Sequence, residues 1–195
     1  MRCFVAVPLG APLHDLLQPL GRTIATLPGS PKVVPPADAH LTLAFLGEID
    51  EHLQRRMTIA LRGALEAAGP FEATTGQLGT FPLDGARARV IWLGLGPAEQ
   101  WHALHRRVQS ALLGCGVPVE EKFTPHVTLA RLRTPLARET VLPALQTPAV
   151  RSLGIVSEVV LLQSMLTGRG PHYVELGRFP LRGAGPDPTR RDQSA

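Results

Sequence analysis

Cysteine is scarce in this chain of 195 residues, which contains only Cys3 and Cys115. Two cysteines cannot build a disulfide framework, and they cannot by themselves complete a metal site made of cysteine ligands. Long apolar runs are also missing, since none approaches the roughly 20 residues that a membrane-spanning helix needs. The first residues, MRCFVAVPL, lack the pattern of a signal peptide and predict a strand. We therefore expect a globular, cytoplasmic protein without membrane contacts.

Lysine is nearly absent, because arginine supplies 18 of the 20 basic residues. The net charge of +4 is compatible with an anionic partner such as nucleic acid. An arginine-rich composition with abundant alanine and proline is equally typical of a GC-rich genome, so charge alone does not identify the partner. The chain also lacks a phosphate-binding loop of the Gly-x4-Gly-Lys type. We therefore predict no nucleotide cofactor.

Hydrophobic periodicity predicts that the same order of strands and helices occurs twice. The first copy comprises a strand at 3–9, a helix at 11–27, a strand at 39–47, a helix at 50–68 and a strand region at 71–81. The second copy comprises a strand at 89–95, a helix at 97–116, a strand at 123–132, a weaker helix at 135–146 and a closing strand pair at 158–166 and 172–181. Residues 183–195 are polar and rich in Gly and Pro, which predicts a disordered tail.

Two short phrases anchor this repeat, HLTLAFLG at 40–47 and HVTLARLR at 126–133. A shift of 86 positions places His40 on His126 and Thr42 on Thr128, and the flanking strands and helices also coincide. We therefore predict one domain over residues 1–182, with an internal repeat of about 4–80 and 90–166. Such a duplication favours two lobes about a pseudo-twofold axis, with the two motifs facing each other across a cleft.

Side chains alternate between the faces of a strand, so His and Thr two residues apart point the same way. Each motif strand would then present one imidazole and one hydroxyl to the cleft. Two imidazoles can serve as an acid and a base near neutral pH, and two hydroxyls can donate hydrogen bonds to the oxygens of a tetrahedral anion. In-line displacement at a phosphodiester needs a base and an acid on opposite sides of phosphorus. The pattern therefore favours a phosphodiesterase.

The segments HLTLAFLGEI and FTPHVTLARL resemble the two motifs of the two-histidine (HxTx) phosphoesterase superfamily. More narrowly, the chain resembles the RNA 2′,3′-cyclic phosphodiesterases, also called 2′-5′ RNA ligases. Three further segments are similar to the opening strand, the central segment and the closing hairpin of that family: RCFVAVPL, GTFPLDGARARVIWLGL and LLQSMLTGRGPHYVELGRFPL. The resemblance covers about residues 1–182.

This resemblance implies an α+β fold of two lobes, each an antiparallel sheet lining a central cleft with helices outside, and both chain termini contribute to one lobe. It implies hydrolysis of 2′,3′-cyclic phosphate ends of RNA to 2′-phosphomonoesters without a metal or other cofactor. Some members also join or cleave 2′-5′ linkages in tRNA halves. By position, His40 would be the proton donor and His126 the proton acceptor. Thr42 and Thr128 would bind phosphate oxygens.

Two further residues are weaker candidates for substrate contact. Arg131 follows the second motif and could reach a phosphate, but it lies an odd number of positions from His126. An unbroken strand would therefore point Arg131 away from the cleft. Phe123 could stack on a base, although an aromatic residue of the core or of a loop explains it as well.

Several alternatives stay open at this point. The substrate could be a small cyclic nucleotide or an ADP-ribose cyclic phosphate rather than RNA, or the protein could be an RNA-end-binding module without turnover. His102 and His105 lie three residues apart on a predicted helix and could hold zinc with a third ligand. A polar helix face explains that pair more simply, so we predict no metal site. We expect a monomer.

Overall fold

The structure is a computed structural model that describes residues 1–83, 86–168 and 170–184. Its strands are β1 (Arg2–Pro8), β2 (Pro31–Val33), β3 (His40–Glu48), β4 (Phe71–Phe81), β5 (Arg87–Gly96), β6 (His126–Ala137), β7 (Ser152–Val156), β8 (Glu158–Thr167) and β9 (Gly170–Pro180). Its α-helices are α1 (Ala11–Ala25), α2 (Glu51–Glu66), α3 (Ala98–Leu113) and α4 (Arg138–Val141), and a 3₁₀ turn spans Pro36–Asp38.

The strands form one antiparallel sheet in the order β7-β4-β5-β6-β3-β1-β8-β9, with β2 paired to β6. This order is symmetric about the contact between β6 and β3, which are the two motif strands. One half of the sheet contains β3, β1, β8 and β9, so strands from both ends of the chain share it. The predicted α+β fold with antiparallel sheets around a central cleft is confirmed, and the two half-sheets join into one continuous sheet.

One face of the sheet is covered by the helices. The apolar motif residues Leu41, Leu43, Val127 and Leu129 belong to the same buried core as the inner faces of α1, α2 and α3. The start of α2 is fixed by its N-cap, since the Asp50 carboxylate accepts a 2.7 Å hydrogen bond from the Leu53 backbone N–H. A cap of this kind contributes about 1 kcal/mol. The opposite face of the central strands is left for the histidines.

The predicted helix at 135–146 is wrong. Strand β6 continues to Ala137, which pairs with Arg87 of β5, and only the four residues of α4 are helical. Pro135 lies inside the extended stretch, and pairing with β5 overrides the weak helical pattern around it. The short strands β2 and β7 were not predicted, because their lengths of three and five residues give almost no periodic signal.

Most of the predicted tail at 183–195 lies outside the described residues. Gly183 still contacts the domain, because its backbone N–H donates to the Ala68 carbonyl at 2.9 Å. In the part of the chain that the structure describes, no helix has the length and apolarity needed to span a bilayer.

Candidate active site

The two motif histidines are held in the same way. The Nδ1 atom of His40 lies 2.7 Å from the Asp38 carbonyl oxygen, and the Nδ1 atom of His126 lies 2.6 Å from the Thr124 carbonyl oxygen. A carbonyl can only accept, so Nδ1 carries the hydrogen in both rings. The Nε2 atom of a neutral ring is therefore a free acceptor, and the Nε2 atom of a protonated ring is a donor. The local backbone thus leaves Nε2 of each histidine as the ring atom that can gain or lose a proton.

The two motifs meet at the centre of the sheet. Leu41 of β3 pairs antiparallel with Val127 of β6 on the core face. Continuing this register by one residue on either side places His40 across from Thr128, and Thr42 across from His126, on the opposite face. Neither threonine hydroxyl has a hydrogen-bond partner among the described residues. The predicted set of two imidazoles and two free hydroxyls is therefore brought together.

Each motif strand contains a β-bulge directly after its threonine. In the pairing of β1 with β3, the register shifts at Leu43, and in the pairing of β5 with β6 it shifts at the equivalent Leu129. The burial pattern shows the same irregularity, because Leu43 and Ala44 are both buried, as are Leu129 and Ala130. A bulge adds one residue, so the side chains that follow it change faces.

The bulge in β6 corrects the expectation for Arg131. This residue lies between the buried Ala130 and Leu132 and projects from the histidine face. Its guanidinium is near enough to act electrostatically on both His126 and Tyr173. The prediction that Arg131 points away from the cleft is wrong, because it assumed an unbroken strand. The equivalent residue of β3, Phe45, is likewise turned out of the core and is 72% exposed.

Aromatic rings flank His40 on the side of β1. The Phe4 ring lies 5.0 Å from the imidazole, measured between centroids, and the Tyr173 ring of β9 approaches its edge at 5.3 Å. Phe4 belongs to a small apolar cluster that is separate from the main core, and Tyr173 packs against this cluster. These contacts limit the directions that the His40 ring can take.

A second aromatic pair flanks His126 on the side of β5. The Phe81 ring lies 4.9 Å from the imidazole and the Trp92 ring lies 5.9 Å from it. Gly79 makes space for the indole, since a Cβ atom at this position would come within 2.2 Å of the Trp92 ring. The four flanking aromatic residues were not predicted from the sequence, because cross-strand pairing is needed to find them.

Burial lowers the pKa of both imidazoles, because it disfavours their charged form. At His40 the backbone carbonyl and the carboxylate of Asp38 raise the pKa again in part, and His126 lowers it further. At His126 the Thr124 carbonyl raises the pKa, and the Arg131 guanidinium lowers it. When the pair holds a single proton, the negative charge of Asp38 favours that proton on His40, and the positive charge of Arg131 disfavours it on His126. These two charges act in favour of a proton on His40, whereas burial, the larger effect at both rings, opposes a proton on either.

Phe123 lies apart from this group. Its ring stacks on His105 of α3 at 4.3 Å with an angle of 5° between the planes, and the His102 ring approaches it edge-on at 5.5 Å. His105 is 4% exposed, so the expected polar helix face does not include it. Among the residues that the structure describes, no group of three or more His, Cys, Asp or Glu side chains could hold a metal ion. Phe123 is thus a packing partner of α3.

A depression of about 230 Å³ lies away from the histidine face, between the end of α2 and the first turns of α3, and Phe71 and Leu104 contribute to its lining. None of the predicted site residues lines this depression.

The comparisons with known proteins agree with this geometry. The model of the 2′-5′ RNA ligase superfamily matches residues 18–165. An RNA 2′,3′-cyclic phosphodiesterase from Methanothermobacter thermautotrophicus is 33% identical over 184 residues, which are 93% of this chain and 99% of that protein. A protein of the same name from Thermus thermophilus is 37% identical over 162 residues, 78% of this chain and 76% of that protein. The crystal structure of the Thermus thermophilus protein TT0787 has a TM-score of 0.76 at 28% identity, and the match covers 94% of this chain and 99% of that one. This chain therefore belongs to the 2′-5′ RNA ligase superfamily.

Proposed function

We propose that this protein is an RNA 2′,3′-cyclic phosphodiesterase that opens the cyclic phosphate end of RNA to a 2′-phosphomonoester. The observation that carries the proposal is the pseudo-twofold set of His40, Thr42, His126 and Thr128, with both Nδ1 atoms bound to backbone carbonyls. The relatives named RNA 2′,3′-cyclic phosphodiesterase support this choice of substrate.

The two histidines divide the proton transfers. Neutral His126 accepts a proton from water through Nε2, and the oxygen of that water attacks phosphorus. The bond from phosphorus to O3′ breaks on the opposite side, and protonated His40 donates its Nε2 proton to O3′. The charges of Asp38 and Arg131 support this assignment, because they favour the proton on His40 over His126. The products are a 2′-phosphate and a free 3′-hydroxyl, and both histidines then exchange their protons with solvent.

The anionic phosphate is held by donors on the same face. The hydroxyls of Thr42 and Thr128 donate to its two non-bridging oxygens, and Arg131 supplies a positive charge beside His126. No carboxylate among the described residues forms a salt bridge with Arg131. Its guanidinium is therefore available to the substrate. We do not assign a substrate contact to Phe123, because its ring stacks on His105.

The same arrangement supports a second activity on the same substrate end. If the 5′-hydroxyl of another RNA strand replaces water as the nucleophile, its oxygen bonds to phosphorus while O3′ leaves. The product is a 2′-5′ phosphodiester, as in the joining of tRNA halves. The match to the 2′-5′ RNA ligase superfamily supports this chemistry. We expect residues 1–182 to form one bilobal domain, and we expect the protein to be a cytoplasmic monomer.

The deciding experiment offers metal-free protein a 2′,3′-cyclic nucleotide and, separately, an RNA with a 2′,3′-cyclic end. We expect both to be opened, and we expect the product to carry a 2′-phosphate. A 3′-phosphate product would contradict the assignment of the leaving oxygen. Turnover of the nucleotide without turnover of RNA would favour the small cyclic nucleotide as the substrate, and RNA binding without turnover of either would favour an end-binding module. An ADP-ribose cyclic phosphate serves as a third substrate.

A further inference from the structure

The pseudo-twofold symmetry preserves the histidines and threonines but not the charges around them. Three cations on or beside β6 correspond in the repeat to uncharged residues. In the order Lys32, Arg131 and Arg133, their repeat partners are Pro118, Phe45 and Gly47. The strand β2, which carries Lys32, also has no counterpart, because the chain around Pro118 is not a strand. One end of the cleft therefore carries three cations at positions whose equivalents at the other end are uncharged.

These cations project from the histidine face. Lys32 pairs directly with Arg131 in the antiparallel contact of β2 with β6, so both side chains are on the same side of the sheet. Their neighbours Val33 and Ala130 pack into the core on the other side. Arg133 lies two residues beyond Arg131 on β6, at a distance of about 6.6 Å along the strand. The three exposed side chains thus form a row that leads away from the catalytic pair.

No salt bridge neutralises this row within the described part of the chain. Like charges directly opposite each other on neighbouring strands destabilise a sheet. The pair of Lys32 and Arg131 therefore has an electrostatic cost in the free protein, and a bound anion would remove this cost. A row of such cations fits a chain of phosphates better than it fits a single phosphate.

We propose that Lys32 and Arg133 bind the phosphates of the RNA strand upstream of its 2′,3′-cyclic end. This inference rests on the proposed function, in which His40 protonates O3′ and so lies beside the terminal ribose. His40 is level with Thr128 on β6, and the cations follow Thr128 further along that strand. The strand that continues from this ribose leaves the cleft on the cationic side. The protein therefore prefers an RNA end over a cyclic mononucleotide.

The test compares kcat/KM for a 2′,3′-cyclic mononucleotide and for a short oligonucleotide with the same end, at a series of KCl concentrations. In the Lys32→Gln/Arg133→Gln variant we expect roughly a tenfold loss of kcat/KM for the oligonucleotide at low salt, or about 1.4 kcal/mol. The value of kcat/KM for the mononucleotide should be unchanged. The slope of log kcat/KM against log salt should become shallower by about 1.4, since each of the two cations contributes about 0.7 on single strands.

The matched control is Arg56→Gln/Arg62→Gln, which makes the same change of charge on exposed positions of α2. This control should leave kcat/KM unchanged for both substrates. Equal losses for both substrates in the Lys32 and Arg133 variant, or equal losses in the control, would overturn the inference, as would no loss at all.

A binding measurement separates this inference from the proposed function. A fluorescent oligonucleotide that ends in a 2′-phosphate is titrated with the wild-type protein and with each variant. If nothing is hydrolysed but the Lys32 and Arg133 variant binds roughly tenfold more weakly, the proposed function fails and the RNA surface stands. Equal affinity of the wild type and this variant overturns the RNA surface, whatever the turnover.

Discussion

Leu41 and Val127 pair across the two central strands, and they are also equivalent positions of the internal repeat. A pair of equivalent residues in antiparallel strands places the pseudo-twofold axis between them. This contact therefore aligns the two motifs, because it sets each histidine opposite the threonine of the other repeat. Both residues are fully buried, so the alignment of the site is supported by the core beneath it.

Replacing either Thr42 or Thr128 with valine should slow hydrolysis while the protein stays folded. Valine keeps the β-branched shape but removes the donor to a phosphate oxygen. By analogy with the loss of one oxyanion-hole donor, the cost is about 2–4 kcal/mol of transition-state stabilisation. The measurement is kcat/KM for a 2′,3′-cyclic nucleotide.

Thr80→Val is the matched control for these variants. Thr80 is a strand threonine whose hydroxyl is buried without a hydrogen-bond partner in the described structure. Its replacement should leave activity unchanged and should keep or raise stability. Full activity of folded Thr42→Val and Thr128→Val would mean that these threonines only support the strands.

Gly79→Ala should disturb the aromatic wall beside His126. The added Cβ would meet the Trp92 ring at 2.2 Å, so the indole must shift. Overpacking of this kind costs about 1–3 kcal/mol of unfolding free energy. We expect a lower denaturation midpoint, a changed tryptophan emission spectrum and slower hydrolysis.

Gly63→Ala is the control for this change, because a Cβ atom at Gly63 of α2 meets nothing within 4 Å. It should stabilise the protein by up to about 1 kcal/mol, since alanine favours the helix. A Gly79→Ala variant with unchanged activity, stability and tryptophan emission would show that the position of the Trp92 ring does not affect the function of His126.

The sequence predicted that the two histidines and two threonines share one face of the sheet, because that signal is local. The spacing within each copy of His-x-Thr-Leu predicts which side chains share a face of the strand. The repeat predicts that the two motif strands occupy equivalent positions. The face of Arg131 could not be predicted in this way, because a bulge at Leu129 depends on how β6 pairs with β5. Burial of both Leu129 and Ala130 reveals that bulge only once the sheet is formed.

The flanking aromatic residues were missed for a related reason. Phe4 and Tyr173 come from opposite ends of the chain and meet only because β1 and β9 both pair with β8. No periodic pattern within a short window contains that information. The prediction of a helix at 135–146 was wrong for a similar reason. Pairing with β5 decides the conformation of these residues, because their own helical preference is weak.

The pH dependence of kcat/KM should change in opposite senses in two variants. Arg131 lowers the pKa of His126, so Arg131→Gln should raise it and move the acidic limb of the bell to higher pH. Asp38 raises the pKa of His40, so Asp38→Asn should lower it and move the basic limb to lower pH. If Arg131→Gln instead moves the basic limb, His126 is the group that must be protonated and the roles are reversed.

An excess of chelator should leave the hydrolysis of 2′,3′-cyclic phosphate unchanged, because the histidine pair supplies both proton transfers. The measurement is the initial rate before and after treatment with EDTA. Loss of the rate on chelation, with recovery on addition of zinc or manganese, would contradict this mechanism. His102→Ala would then be tested for loss of metal binding, with His52→Ala as the surface control.

The division of labour between the histidines can be tested with a substrate whose leaving group needs no proton. Opening of the cyclic phosphate expels the O3′ alkoxide, which leaves poorly unless His40 protonates it. A phosphodiester with a good phenolate leaving group removes this need but still requires a base to activate water. His40→Ala should therefore retain most of its activity on the phenolate substrate and lose it on the cyclic nucleotide, whereas His126→Ala should be slow on both.

The comparison uses kcat for the two substrates, with circular dichroism to confirm folding. Tolerance of His126→Ala in place of His40→Ala would reverse the roles. Equal failure of both variants on both substrates would mean that each imidazole also binds the phosphate, and that neither acts on protons alone.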